Sequence, residues 1–227
     1  MSRKAPDPRS GSPMRLLHRL LHRLFLLACM LLAGCQPSPR LAALPAGSAV
    51  LAFGNSITFG TGAGPGEDYP RQLATRSGWR IYNAGIPGDS AESARERIGR
   101  MLQTTQPALV IVELGGNDFL SRRPEAAIKE DLRAIIGTIR QSGAQVVLLA
   151  VPRLSLIGAV TGKLPDARIY AELASEEKLP LVEGVLATIL ADANLKADPI
   201  HPNAEGYRKM ATGVAEQLSR LGLLGKP

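Results

Sequence analysis

A chain of 227 residues with 27 Lys and Arg against 20 Asp and Glu carries a formal net charge of +7. Residues 1–34 hold +5 of that excess, so the remainder gives no reason to expect a nucleic-acid partner. Only Cys35 and His201, of the two cysteines and three histidines, lie beyond residue 34; in that part an internal disulfide and a zinc site with several imidazoles are excluded.

The first 34 residues follow an export pattern. Arg3, Lys4, Arg9, Arg15, Arg19 and Arg23 lead into the apolar run 24–32, and small residues Ala33-Gly34 precede Cys35. The run is too short for an ordinary membrane-spanning helix and reads as a secretory signal. Leu32-Ala33-Gly34-Cys35 resembles the lipobox of bacterial lipoproteins, in which cleavage leaves the cysteine as a lipid-modified first residue. The resemblance implies lipid attachment at Cys35 and a place on the periplasmic face of the cell envelope. Gln36 stands where aspartate is associated with inner-membrane retention, so the outer membrane is the expected destination. A plain signal peptide with an incidental cysteine is the alternative. Residues 35–47, with Pro37, Pro39 and Pro45, read as an extended tether spanning no more than about 40 Å, and a single domain is expected over 48–227.

From Ala49 onward short apolar runs alternate with helical patterns. Strands are predicted at 49–53, 80–83, 109–114, 145–151 and 179–182, and helices near 69–77, 91–104, 125–141, 166–176 and 203–221. Such alternation predicts βαβ units, a parallel sheet and an α/β fold.

Four loops at predicted strand ends carry the candidate chemistry. The first strand stops abruptly at Gly54-Asn55-Ser56, where a sharp exit leaves Ser56 at the carboxyl edge of the sheet. Asn55 or Ser56 would serve equally as a helix cap. The second strand ends in Asn83-Ala84-Gly85-Ile86-Pro87-Gly88-Asp89-Ser90, in which Gly88 offers a bare backbone N–H and Asp89 or Ser90 suits a cap. The third ends in Leu114-Gly115-Gly116-Asn117-Asp118, where Asn117 brings a neutral donor to the same edge. After the fifth comes Asp198-Pro199-Ile200-His201, a spacing that sets a carboxylate against one ring nitrogen and leaves the other outward. A surface loop with an incidental histidine fits that piece equally well.

Taken together, Gly54-Asn55-Ser56, Gly88, Gly115-Gly116-Asn117-Asp118 and Asp198-Pro199-Ile200-His201 resemble the four blocks of the SGNH, or GDSL, hydrolase family. The third block is similar in style to the lysophospholipase, arylesterase and acyl-CoA thioesterase I branch. The first block departs from the family, which commonly has Asp where this chain has Asn55. The resemblance implies a three-layer α/β/α, flavodoxin-like sandwich with a five-stranded parallel sheet in the order 2-1-3-4-5. It also implies a triad of Ser56, His201 and Asp198, and oxyanion donors from the backbone N–H of Ser56 and Gly88 and the side chain of Asn117. The reaction implied is hydrolysis of carboxylic esters or thioesters, lipid-derived acyl esters foremost, with no cofactor and no metal. The partners implied are a small acyl ester and, through the lipid on Cys35, a membrane.

Other readings compete. An α/β-hydrolase would place its serine in Gly-x-Ser-x-Gly deep in the chain, whereas Thr58 stands two residues after Ser56. The glycine-rich stretch 60–66 lacks the third glycine of a dinucleotide site and the Gly-Lys-Ser/Thr of a P-loop. A glycan O-acetyl esterase, or a lipid- or glycan-binding protein on the same fold, would share these residues. Phe119, Leu120 and the apolar run 154–160 suit either an acyl pocket or the core.

Overall fold

In the computed structural model, which describes His18 and residues 42–153 and 164–225, the apolar runs pair into one parallel sheet. The signal segment apart from His18, Cys35, the tether as far as residue 41 and the run 154–160 lie outside the described residues. The chain divides into two compact units, 1–39 and 40–227, and every element named below belongs to the second.

The strands are β1 (Ala49–Gly54), β2 (Arg80–Gly85), β3 (Leu109–Glu113), β4 (Gln145–Leu149) and β5 (Leu181–Val182). Their order is β2-β1-β3-β4-β5, all neighbours parallel. β1, β3 and β4 are buried almost throughout, as strands covered on both faces must be, and this is why they read as continuous apolar runs. β2, at one edge, exposes Arg80, Tyr82 and Asn83, polar or amphipathic residues that blunt an open edge.

The helices are α1 (Ser56–Phe59), α2 (Tyr69–Ser77), α3 (Ala91–Thr105), α4 (Gly116–Leu120), α5 (Glu125–Gln141), α6 (Arg168–Glu176), α7 (Val185–Ala191) and α8 (Ala204–Arg220). α3, α5 and α6 pack in sequence on one face of the sheet, and α2, α8 and α7 on the other. Between the layers lies one continuous apolar core that includes Phe53, Leu73, Ile98, Ile111, Leu132, Leu148 and Met210. The helices begin where local chemistry starts them. Asp68 accepts from Arg71 N ahead of α2, Ser90 and Ser93 form a reciprocal capping box on α3, and Asn203 accepts from Gly206 N ahead of α8. The 2-1-3-4-5 order puts a topological switch between β1 and β3, and the loops that follow β1, β2 and β3 gather around it.

The predicted elements differ from the observed ones at definite places. α6 starts at Arg168 rather than 166 because Asp166 is engaged outside the helix, bridging Pro152 and accepting Gly184 N–H at 2.5 Å. β5 shrinks to two residues after Pro180, which has no N–H to add to a ladder. The short helices α1, α4 and α7 and a 3-10 turn at Ala193–Leu195 lie outside the predicted elements, although α1 begins at the Asn55 cap that the sequence offers. Residues 42–47, read as part of a tether, lie against the domain. Leu44 N–H donates to Leu223 O at 2.8 Å, Gly47 N–H donates to Gly78 O at 2.7 Å, and Trp79 Nε1 donates to Leu44 O at 3.3 Å.

Candidate active site

β1 ends at Gly54 because nothing larger fits there. A Cβ on Gly54 would stand 2.1 Å from Thr58 Oγ1 and 2.5 Å from Glu113 O. The chain then turns into α1 with Asn55 as its cap, Oδ1 accepting from Ile57 N at 2.9 Å. An amide carbonyl thus does the capping that a carboxylate would do in the commoner first block. Ser56 becomes the first residue of α1, half-buried, and its N–H lies in the turn that has no acceptor within the helix.

The loop between the 3-10 turn and α8 presents the histidine. Lys196 and Pro202 form a bridge across it, and Ala197 N–H donates to His201 O at 3.0 Å. Asp198 Oδ1 accepts from the backbone N–H groups of Ile200 and His201, each at 2.9 Å. Its Oδ2 lies 2.7 Å from His201 Nδ1, and His201 Nε2 lies 2.9 Å from Ser56 Oγ. Partial burial works to raise the Asp198 pKa, but hydrogen bonds from the His201 ring and the two amides outweigh it and hold the carboxyl below its usual range. A carboxylate at Nδ1 keeps the ring proton on that nitrogen and leaves Nε2 to accept from the serine. The glycine-rich stretch lies alongside, tied by the Tyr207 hydroxyl donating to Thr61 O at 2.8 Å.

Two further loops reach the same edge. In Ile86-Pro87-Gly88-Asp89 the Asp89 N–H donates to Ile86 O at 3.1 Å and Gly88 has φ +84°. This is the arrangement of a type II turn, with proline second and a left-handed glycine third. The Gly88 N–H is exposed and has no acceptor among the described residues. Asn117, the second residue of α4, donates one Nδ2 hydrogen to Asp89 O at 2.8 Å, and its other amide hydrogen has no acceptor among the described residues. Asp118 faces away from this edge, accepting Ala91 N–H at 2.9 Å and pairing with Arg123 at 3.0 Å. Ser56, Asp198 and His201 are therefore in one hydrogen-bonded chain, and Gly88 and Asn117 are joined to each other through Asp89.

The sequence of this chain matches the profile of the GDSL-like lipase/acylhydrolase family over residues 52–209. The chain belongs to this family. Among its relatives is the esterase TesA of Pseudomonas aeruginosa, 30% identical over 200 residues that cover 85% of this chain and 98% of TesA. Another is the thioesterase 1/protease 1/lysophospholipase L1 of Escherichia coli K12, 28% identical over 179 residues, covering 78% of this chain and 86% of the relative. The crystal structure of a protein named TesA superposes with a TM-score of 0.67 at 29% identity, covering 76% of this chain and 99% of that one. As a GDSL-family member the protein is a serine ester hydrolase.

Two polar groups beneath the site have no role assigned by the sequence. Glu113 ends the otherwise apolar β3 and is fully buried. It accepts from Thr58 Oγ1 at 2.8 Å through Oε2, while Oε1 has no well-aligned partner among the described residues. Burial pushes its pKa up from 4.5 to about 8, an effect that the Thr58 hydroxyl and the amides of Asn55 and Thr58 offset only in part. A lone acidic residue closing Leu-Val-Ile-Val was the available signal. The second group is Arg97 of α3, whose contacts are given below.

Proposed function

We propose that Ser56 is the nucleophile of this hydrolase. In this reading His201 Nε2 takes the hydroxyl proton as Ser56 Oγ attacks the ester carbonyl, and Asp198 holds the imidazole in the required tautomer and stabilises the imidazolium. Negative charge develops on the carbonyl oxygen, and the N–H groups of Ser56 and Gly88 and the Asn117 amide stabilise it. The alcohol or thiol leaves with the proton from His201. Water, activated by the same imidazole, then releases the acid from the acyl-enzyme. The observation that carries this reading is the continuous pair of contacts from Ser56 Oγ to His201 Nε2 at 2.9 Å and from His201 Nδ1 to Asp198 Oδ2 at 2.7 Å.

For the substrate we favour lipid-derived acyl esters. Phe59 at the end of α1, Ile86 in the loop after β2 and Leu120 at the end of α4 are 55%, 47% and 37% exposed. Apolar side chains left in water around a site favour a chain of methylenes over an acetyl group, since each CH₂ removed from water contributes about 0.8 kcal/mol. The names of the relatives, an esterase and a thioesterase/lysophospholipase, agree with that class. Attachment through a lipid on Cys35 would keep the domain at the membrane where such esters reside.

The test is a single substrate panel: p-nitrophenyl esters of graded length, a lysophospholipid, an acyl-CoA and an acetylated glycan. Rising kcat/KM with acyl length, abolished by Ser56→Ala, supports the reading. A preference for the acetylated glycan overturns the substrate class. Activity surviving Ser56→Ala overturns the nucleophile.

A further inference from the structure

Arg97 has no part in the chemistry above, yet it holds three pieces of the site's framework at once. The side chain leaves the second turn of α3 and runs under the sheet edge, about five-sixths buried. Its Nε donates to Asp89 Oδ2 at 2.7 Å, and Nη2 is 2.6 Å from the same oxygen. Nη1 donates to Ala84 O and Nη2 to Gly54 O, both at 2.9 Å. The guanidinium carbon sits 4.1 Å from the centre of the Phe53 ring, so an aromatic face supports the plane from which these bonds fan out.

The acceptors come from two strands and a loop. Gly54 is the last residue of β1, two before Ser56, and Ala84 is the next to last of β2. Asp89 directly follows Gly88, and its own carbonyl receives the Asn117 amide. One rigid fork therefore sets the spacing between the serine turn and the Gly88 turn, and through Asp89 it reaches Asn117. Oxyanion donors act only when they lie about 2.7–3.1 Å from the developing charge, and an error near 1 Å costs on the order of 10²-fold in rate.

We propose that Arg97 is a positioning residue for the oxyanion hole, holding the Ser56, Gly88 and Asn117 donors in one geometry through Gly54 O, Ala84 O and the Asp89 carboxylate. The inference rests on the oxyanion assignment above. Lysine in its place keeps the charge but loses the planar fork, so it cannot span the three acceptors together.

The experiment measures kcat, KM and thermal unfolding for Arg97→Lys, Asn117→Ala and the double variant on a p-nitrophenyl ester, with rates normalised to folded protein. Arg97→Lys is expected to lower kcat by roughly 10-fold to 100-fold with KM within about twofold. The double variant is expected to be slowed by clearly less than the product of the two single effects, because both act on the same donors. An unchanged kcat in folded Arg97→Lys, a loss confined to KM, or single effects that multiply would each overturn the proposal. Should Arg97→Lys fail to fold, Asp89→Asn cuts the same clamp from the other side and is read by the same criteria. If Asn117→Ala alone has wild-type kcat, the oxyanion assignment falls rather than the clamp alone.

Discussion

Thr58 Oγ1 donates to Glu113 Oε2 at 2.8 Å inside the core, joining the turn that carries Ser56 to the end of β3. A carboxyl that stays protonated to about pH 8 in the folded protein, against 4.5 ordinarily, makes stability depend on pH. Its folded pKa lies above its unfolded one, so its favourable contribution is complete below about 4.5 and is lost as pH rises through 8.

Glu113→Gln keeps an acceptor for Thr58 and cannot ionise. It is expected to lie within about 1 kcal/mol of the wild type near pH 5 and to be more stable by up to about 5 kcal/mol well above pH 8. Urea unfolding of both proteins at several pH values between 5 and 9 checks this. Parallel pH profiles would mean that Glu113 does not titrate in the folded state at the expected pH.

kcat/KM is expected to fall on acidification as a single imidazole gains a proton and can no longer accept from Ser56. Asp198 is held below its usual range by the His201 ring and the two backbone amides. His201→Ala should remove nearly all activity, and Asp198→Asn should lower kcat by on the order of 10⁴-fold. A His201→Ala enzyme that retains the wild-type acid limb would remove the histidine from the mechanism.

Asn117→Ala is expected to reduce kcat by roughly 10²–10³-fold with little change in KM, the effect of losing one donor to the developing oxyanion. It also removes the hydrogen bond to Asp89 O, so a loss of about 1 kcal/mol in stability should accompany it. Unfolding and kcat measured on one preparation separate the two roles.

If Cys35 carries the lipid, Cys35→Ala is expected to release the protein from membranes or leave it unprocessed, since the acyl chains would be the anchor. Fractionation of cells expressing each form decides this, and unaltered processing with membrane retention would reject lipid attachment.

Much of the architecture was legible because burial writes itself into composition. Strands covered on both faces must be apolar throughout, so β1, β3 and β4 stood out as runs, and the four loops that follow strands could be read for serine, glycine, asparagine and histidine. Chain order alone placed Ser56 and Asn117 just after strand ends, whereas Asp198 and His201 follow α7 and the 3-10 turn rather than β5 itself. Tertiary structure decided which of those ends meet, because a hydrogen bond between Ser56 and His201 spans 145 residues and has no local signature. Arg95 and Arg97 look alike in an amphipathic helix, yet Arg95 is half exposed and Arg97 passes beneath two strands. That difference comes from where α3 crosses the sheet. Leu44 seemed part of a tether until Leu223 and Leu224 were brought beside it by the end of α8. Glu113 gave a residue type but no partner, since only the sheet register, setting Gly54 against it, puts the Thr58 hydroxyl within reach. The sequence by itself determined which groups are available at the strand ends, and long-range packing decided which of them share a hydrogen bond.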